Sequence, residues 1–133
     1  PDSELWLDGG HNADGARAIA SAIGDLEERV PRPLVLIVGM LSTKDNAGFL
    51  RNFAGIARCV IAVPIPNQEK SVAAEALAEL ARGTGIPAES CDTLEDALVA
   101  VRRLDLAPAP RVLIAGSLYL AGEVLSQNGT PPV

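Results

Sequence analysis

Two five-residue runs of this chain, Leu34–Val38 and Cys59–Val63, are apolar at every position, and Arg111–Ala115 is apolar in four of its five residues. A strand with one face in water alternates apolar and polar residues, whereas a continuous apolar run predicts a strand covered on both faces. Such strands occur almost only where helices pack on either side of a parallel sheet. This pattern therefore constrains the fold more than any other feature of the sequence.

The segments between these runs carry apolar residues at helical spacing. In the first of them, Ile19, Ala20 and Ile23 lie on one stripe that stops before Pro31. Strands that alternate with helices require crossover connections. We therefore predict an α/β, Rossmann-like three-layer domain over residues 1–126, with a mostly parallel sheet of about five strands and helices on both faces. Residues 127–133 are predicted to form a flexible tail.

Local signals predict where the later helices begin and end. Ser71 is expected to cap the third helix, and Gly83 to end it in a left-handed conformation. Thr93, with Asp96 three residues later, resembles a capping box that opens the fourth helix. A fifth helix is predicted over residues 118–125.

Composition excludes several classes of function. The net charge of −6 argues against binding to nucleic acid or to an anionic membrane surface. No apolar run approaches the roughly 20 residues that a membrane-spanning helix needs. We expect a cytoplasmic protein without a nucleic-acid or membrane partner, and the opening residue, Pro1, suggests a piece of a longer polypeptide.

The chain has two cysteines, Cys59 and Cys91, and both lie in apolar, strand-like surroundings. Neither belongs to a CxxC pair, and no histidine is close enough in sequence to complete a metal site. We expect reduced, buried thiols that pack as small apolar side chains, and no metal site in this chain.

Polar side chains collect where three predicted strands end. Carboxyl ends of strands in open α/β sheets are where ligands bind, because the loops there open into a crevice. A carboxylate, an imidazole, an ammonium and hydroxyls at one edge suit a phosphorylated, hydroxyl-bearing ligand. The candidates are Asp8, His11 and Asn12 after the first strand, Ser42, Thr43, Lys44 and Asp45 after the second, and Ser117 and Tyr119 after the last.

Each of these residues has an ordinary structural role open to it. Asp8 fits its own turn, Asn12 fits a helix cap, and Lys44 fits a solvated surface charge. His11 fits a structural or surface role, Ser117 fits a cap, and Tyr119 fits a packing role. Their recurrence at successive strand ends is what favours a shared site.

The sequence lacks both common phosphate-binding loops. It contains neither GxxxxGK[ST] nor GxGxxG, so none of its loops wraps a triphosphate or a dinucleotide by itself. If this chain handles ATP, another domain supplies the phosphate-binding loop.

Three motifs occur in an order and spacing that resemble a known family. They are Leu7-Asp8-Gly9-Gly10-His11-Asn12, Gly39-Met40 followed by Lys44-Asp45, and Ala115-Gly116-Ser117-Leu118-Tyr119-Leu120. Over nearly its whole length the chain resembles the C-terminal domain of folylpolyglutamate synthase/dihydrofolate synthase, a relative of the Mur ligases.

The resemblance implies an ATP-dependent ligase that joins L-glutamate to dihydropteroate or folate through an acyl phosphate. It implies that an N-terminal ATPase domain of the same polypeptide holds the P-loop and the Mg²⁺ ligands, and that the C-terminal domain, which the present chain resembles, is inactive alone. By the matching motifs, Asp8 and Asn12 would bind ATP, while His11 and Lys44 would serve catalysis near the transferred phosphate. Ser117, Tyr119 and His11 would bind glutamate.

Two alternatives stay open. The chain could be a stand-alone nucleotide-binding or receiver-like regulatory module, with Asp8 as phosphoacceptor, although receiver domains place further acidic residues beside that aspartate. It could also be a Rossmann-like scaffold without a ligand. Phosphorylation of Asp8 by a small phosphodonor would favour the receiver-like alternative.

Overall fold

The computed structural model of the protein describes residues 4–7, 13–29, 32–42, 45–65, 69–104 and 110–115. Within these ranges, strands and helices alternate strictly along the chain. In order, they are β1 (Glu4–Leu7), α1 (Ala13–Arg29), β2 (Leu34–Val38), α2 (Asn46–Arg51), β3 (Ala57–Ala62), α3 (Ala74–Gly83), β4 (Ala88–Ser90), α4 (Leu94–Arg103) and β5 (Arg111–Ala115). The predicted fifth helix and the tail lie outside the described residues.

The described strands form one five-stranded sheet in the order β1-β5-β2-β3-β4. Each neighbouring pair is parallel, so the carboxyl ends of all five strands lie along the same edge. The prediction of a mostly parallel α/β sheet with about five strands is confirmed. The sequence did not predict that the last strand, β5, is inserted between β1 and β2.

Helices cover both faces of this sheet, as predicted. On one face, α1, α2 and α3 pack through side chains such as Ile23, Phe49 and Leu77 onto alternate residues of the central strands. On the other face, α4 packs through Leu94, Ala97 and Val101 onto the residues in between. Because both faces are covered, every residue of β2 and of β5 is buried, which explains their nearly unbroken apolar sequences.

The chain direction explains this distribution of helices. The connections from β1 to β2, from β2 to β3 and from β3 to β4 all advance in one direction across the sheet, and the connection from β4 to β5 returns. Crossovers between parallel strands are right-handed in nearly all proteins. Three advancing crossovers therefore place their helices on one face, and the returning crossover places α4 on the other.

Two local predictions about α3 are wrong. The helix begins at Ala74 after Ala73, which makes no side-chain capping bond, whereas the Ser71 hydroxyl accepts a hydrogen bond from the Ile65 N–H at 2.8 Å. Gly83 is the last helical residue, and the left-handed position falls on Gly85, with φ of 95°. Thr93 does cap α4 as predicted, because its hydroxyl accepts from the Asp96 N–H at 3.1 Å.

None of the helices within the described ranges combines the length and the hydrophobicity that crossing a bilayer would require.

Candidate ligand-binding site

The three strands that precede the predicted site loops are neighbours in the sheet. β5 lies between β1 and β2, and it pairs with both of them in parallel. Neighbouring strands in a sheet lie about 4.8 Å apart, so the ends of these three strands fall within about 10 Å of one another. The loops that follow them, residues 8–12, 116–119 and 39–45, therefore start side by side at one edge.

The register of the strands places their ends at nearly the same height. Leu7 at the end of β1 is paired with Ile114 of β5, and Ile114 is also paired with Ile37 of β2. One residue further on, Ala115 is paired with Val38. The ends of the three strands therefore lie within about one residue of the same level along this edge.

Hydrogen bonds hold the first half of the loop after β2. The Gly39 N–H donates to the Ala115 carbonyl at 3.4 Å, which extends the pairing of β2 with β5 by one residue. The Ser42 N–H donates to the Lys70 carbonyl at 2.7 Å. The Met40 carbonyl accepts from the Val72 N–H at 2.8 Å. The segment 70–72 thus braces this loop from the side.

Asp45 holds the other end of the same loop. Its carboxylate accepts a hydrogen bond from the Gly48 N–H at 3.0 Å, and its carbonyl accepts from the Phe49 N–H at 3.0 Å. Asp45 is therefore the N-cap of α2. Thr43 and Lys44 themselves lie outside the described residues, but both neighbours in the chain, Ser42 and Asp45, are fixed by backbone and capping bonds.

The other predicted site residues also lie outside the described part of the chain. What the structure describes is the framework that carries them, namely the ends of β1, β2 and β5 and the braced loop after β2. Their assigned roles stay predictions. These residues are Asp8, His11, Asn12, Ser117 and Tyr119.

Asn46 was not among the predicted site residues. It is the first residue of α2 and only 8% exposed, and its Oδ1 is buried without a hydrogen-bond partner among the described residues. Buried polar atoms in folded proteins are nearly always hydrogen-bonded, so an exception calls for an explanation. No sequence signal could have identified it, because an asparagine after an N-cap residue is an ordinary start to a helix.

The two cysteines are free thiols, as predicted, but they are less buried than predicted. Both pack beside the apolar cluster under α4, and each is only partly buried. Burial, followed by the nearby Glu89 carboxylate, raises the pKa of Cys59 and of Cys91. A thiol with a raised pKa is protonated at neutral pH and is a poor nucleophile.

Two of the surface grooves among the described residues lie beside helices. One, of about 470 Å³, runs between β4 and α4 and is lined by residues that include Glu89, Cys91 and Arg103. The other, of about 320 Å³, lies between α2 and α3. No group of three or more His, Cys, Asp or Glu residues within the described ranges is arranged to hold a metal ion.

The sequence matches the family described as Mur ligase, glutamate ligase domain, over residues 2–118. It is 30% identical over 120 residues to the folylpolyglutamate synthase of Lacticaseibacillus casei, a match that covers 90% of this chain and 26% of that protein.

Solved structures share the fold over almost the whole chain. The folylpolyglutamate synthase of Mycobacterium tuberculosis, solved with ADP, superimposes with a TM-score of 0.84 at 25% identity over 97% of this chain and 30% of that one. A bifunctional folylpolyglutamate synthase/dihydrofolate synthase with Mn, AMPPNP and L-glutamate bound superimposes with a TM-score of 0.77 at 25% identity, over 94% of this chain and 29% of that one. The chain thus spans less than a third of the length of these relatives.

Proposed function

Because the chain belongs to the Mur ligase, glutamate ligase domain family, we propose that it is the C-terminal domain of an ATP-dependent carboxylate-amine ligase. In this proposal the full-length enzyme adds L-glutamate to dihydropteroate or to a folate that already carries glutamate. An N-terminal ATPase domain of the same polypeptide, in the cytoplasm, supplies the P-loop and the Mg²⁺ ligands. The isolated C-terminal domain is inactive.

The observation that supports the proposal most strongly is the adjacency of the ends of β1, β5 and β2 at one edge of the sheet. A site that must hold a nucleotide beside an amino acid needs groups from several loops. In the sequence, the segments that follow these three strand ends carry an acceptor, an imidazole, an ammonium and a hydroxyl, and the strand ends themselves lie within about 10 Å of one another. That donor set fits a ribose, a phosphate and a carboxylate better than it fits an apolar ligand.

We assign the nucleotide to the loop after β1 and glutamate to the loop after β5. An ionised carboxylate only accepts hydrogen bonds, so Asp8 suits the two hydroxyl groups of a ribose, with Asn12 beside it. Ser117, Tyr119 and His11 offer hydrogen-bond donors to the carboxylates of glutamate. When bound, ATP supplies the phosphoryl group that activates the folate carboxylate as an acyl phosphate, which the glutamate amino group then attacks with release of phosphate.

Lys44 is assigned to the charge that develops during this transfer. Phosphoryl transfer depends on positive charge beside the phosphoryl oxygens more than on a nucleophile from the protein. The loop that carries Lys44 is tied down by hydrogen bonds at Ser42 and by the cap at Asp45. A lysine whose described neighbours in the chain are held in this way is well suited to such electrostatic stabilisation.

The test is turnover of the full-length enzyme with Lys44→Ala, measured as glutamylated product formed with ADP. We expect kcat to fall by about 10² or more, the scale of a lost electrostatic donor. Lys70→Ala is the matched control, because the side chain of Lys70 is exposed and the bond that braces the same loop comes from its backbone carbonyl, which alanine retains. Wild-type turnover in Lys44→Ala would remove Lys44 from the site.

A second variant, Asp8→Asn, tests the nucleotide assignment. We expect the KM for ATP to rise while the KM for glutamate stays close to its wild-type value, because the amide no longer accepts with both of its polar atoms. An unchanged KM for ATP would mean that Asp8 only shapes its own turn.

A further inference from the structure

Residues 70–72 brace the loop after β2 through two backbone hydrogen bonds, and they belong to none of the five described strands of the sheet. Between these two bonds, Leu41 and Ser71 are paired in antiparallel orientation. The brace is therefore a miniature two-stranded ladder beside the carboxyl end of β2. Two-stranded ladders are marginal in water without further support, so contacts outside the ladder have to hold residues 70–72 in place.

The side chain of Ser71 makes such a contact. Its hydroxyl accepts a hydrogen bond from the Ile65 N–H at 2.8 Å, six residues earlier in the chain. Ile65 is only 2% exposed, and just before it the Val63 N–H donates to the Val38 carbonyl at 2.9 Å. That bond continues the pairing of β3 with β2 past the end of β3. The hydroxyl therefore joins the brace to a part of the chain that the sheet itself holds.

This use of the hydroxyl differs from the one that the sequence predicts. A serine just before a helix commonly caps it, and a cap stabilises the fold. Here α3 begins after Ala73, which makes no side-chain capping bond, while the Ser71 hydroxyl is engaged across the turn. Helix stability therefore does not account for this serine, whereas the position of the brace does.

We propose that Ser71 is a positioning residue. Its hydroxyl fixes the brace to the end of β3, and the brace in turn holds residues 40–42 in the conformation that turnover requires. This inference rests on the proposed function, since it takes the loop after β2 as part of the reacting site. Electrostatic stabilisation of a transition state depends on groups that are already in place, and a shift of about 1 Å can cost about 100-fold in rate. Ser71 acts through the backbone of that loop and needs no contact with a ligand.

The first experiment measures hydrogen exchange in the full-length protein and needs no activity. The Ser42 and Val72 amides donate the two bonds of the brace, so their exchange reports its opening. We expect Ser71→Ala to speed exchange at both amides by about 10-fold or more, the scale of a buried donor that loses its acceptor. Ser71→Thr keeps a hydroxyl and should exchange like the wild type.

Ser71→Cys grades the same test, because a thiol is a weaker acceptor than a hydroxyl. Its exchange rates should lie between those of the wild type and Ser71→Ala. If Ser71→Ala does not fold, the comparison of Ser71→Thr with Ser71→Cys decides the question in its place. Equal exchange at the two amides in all of the folded proteins would overturn the proposal.

The second experiment measures kcat and KM. Ser71→Ala should lower kcat by about 10-fold and leave the KM for ATP near its wild-type value, because the nucleotide is assigned to the loop after β1. Thr93→Ala is the matched control, since it removes the hydroxyl that caps α4 on the other face of the sheet. It should lower the melting temperature and leave kcat unchanged. Equal losses of kcat in Ser71→Ala and Thr93→Ala, or wild-type kcat in Ser71→Ala, would overturn the positioning role.

The two experiments separate this inference from the proposed function. If the wild-type enzyme forms no glutamylated product, the proposed function fails, and the exchange rates still decide whether the Ser71 hydroxyl holds the brace.

Discussion

The cap at the start of α2 allows a stability prediction whose sign depends on a single neighbouring side chain. The Asp45 carboxylate accepts a hydrogen bond from the Gly48 N–H at 3.0 Å. A Cβ at position 48 would meet the carboxylate, with Cγ of Asp45 at 2.8 Å and Oδ1 at 3.1 Å. Gly48→Ala therefore forces the carboxylate away and removes the cap.

Two opposing contributions of similar size decide the outcome. Loss of an N-cap costs about 1 kcal/mol, and alanine is favoured over glycine within a helix by about 1 kcal/mol. In the wild type these contributions nearly cancel, so Gly48→Ala should change the free energy of unfolding little. In Asp45→Ala the carboxylate is already absent, so the same substitution should stabilise the fold by about 1 kcal/mol.

The assay is urea unfolding of the four proteins of this cycle, with comparison restricted to variants that share the same m-value. Asp45→Asn serves as the control, because asparagine caps helices about as well as aspartate and still crowds position 48. An equal effect of Gly48→Ala in the wild type and in Asp45→Ala would refute the reasoning. It would mean that the Asp45 carboxylate does not occupy the space that a Cβ at position 48 needs. The result bears on the site, because this cap fixes the residue after Lys44.

Three further predictions concern the brace, a thiol and a surface network. Ser71→Ala should lower the free energy of unfolding by about 1–3 kcal/mol in urea titrations, because the buried Ile65 N–H loses its acceptor. Ser71→Thr keeps a hydroxyl and should retain most of the wild-type stability. Burial raises the pKa of the Cys59 thiol, so this residue should react with iodoacetamide more slowly than cysteine in solution at about pH 7.5. For the same reason the fold should lose stability above about pH 8.5, where the unfolded chain releases the thiol proton more readily than the folded one. Hydrogen bonds from the Ser90 hydroxyl and then from the Arg82 guanidinium lower the pKa of Glu75. The ionised carboxylate therefore contributes to the stability of the fold above about pH 4.3, and this contribution is lost as the pH falls further. Glu75→Gln should flatten the acid side of a plot of melting temperature against pH.

β2 is the element that the sequence predicts best. Its bounds, Leu34–Val38, coincide with the apolar run because every residue of the run is buried and because Pro33 and Gly39 flank it. β3 is less well predicted, since it begins at Ala57, two residues before the apolar run. The first three residues of β3 are only partly buried or exposed, so hydrophobicity does not mark them.

The ends of α3 show where local signals are insufficient. Ser71 has the residue type of a cap, but its hydroxyl accepts a hydrogen bond from the N–H of Ile65, six residues earlier in the chain. Gly83 and Gly85 are separated by one residue, and either could end a helix. The structure uses Gly85 because Thr84 still continues the right-handed conformation. Both choices depend on contacts between segments, which a local pattern does not contain.

The candidate site was predictable in its parts but not in its assembly. Periodicity placed the polar loops at strand ends, and parallel strands placed those ends at one edge. The order of strands is set by where β5 docks, and periodicity does not encode that. Asn46 was missed for a related reason, because its unpaired Oδ1 is a property of the packed α2 and of nothing in the neighbouring sequence.

The central claim is that the loops at residues 8–12, 39–45 and 116–119 form one ligand site at the adjacent ends of β1, β5 and β2. Titration of the 133-residue chain with ATP and with L-glutamate, followed by amide chemical shifts, tests it directly. The account predicts shifts concentrated in these three loops, with residues 84–87 and Leu104 at the opposite edge unchanged. Shifts concentrated at that opposite edge, or in one of the three loops alone, would contradict it.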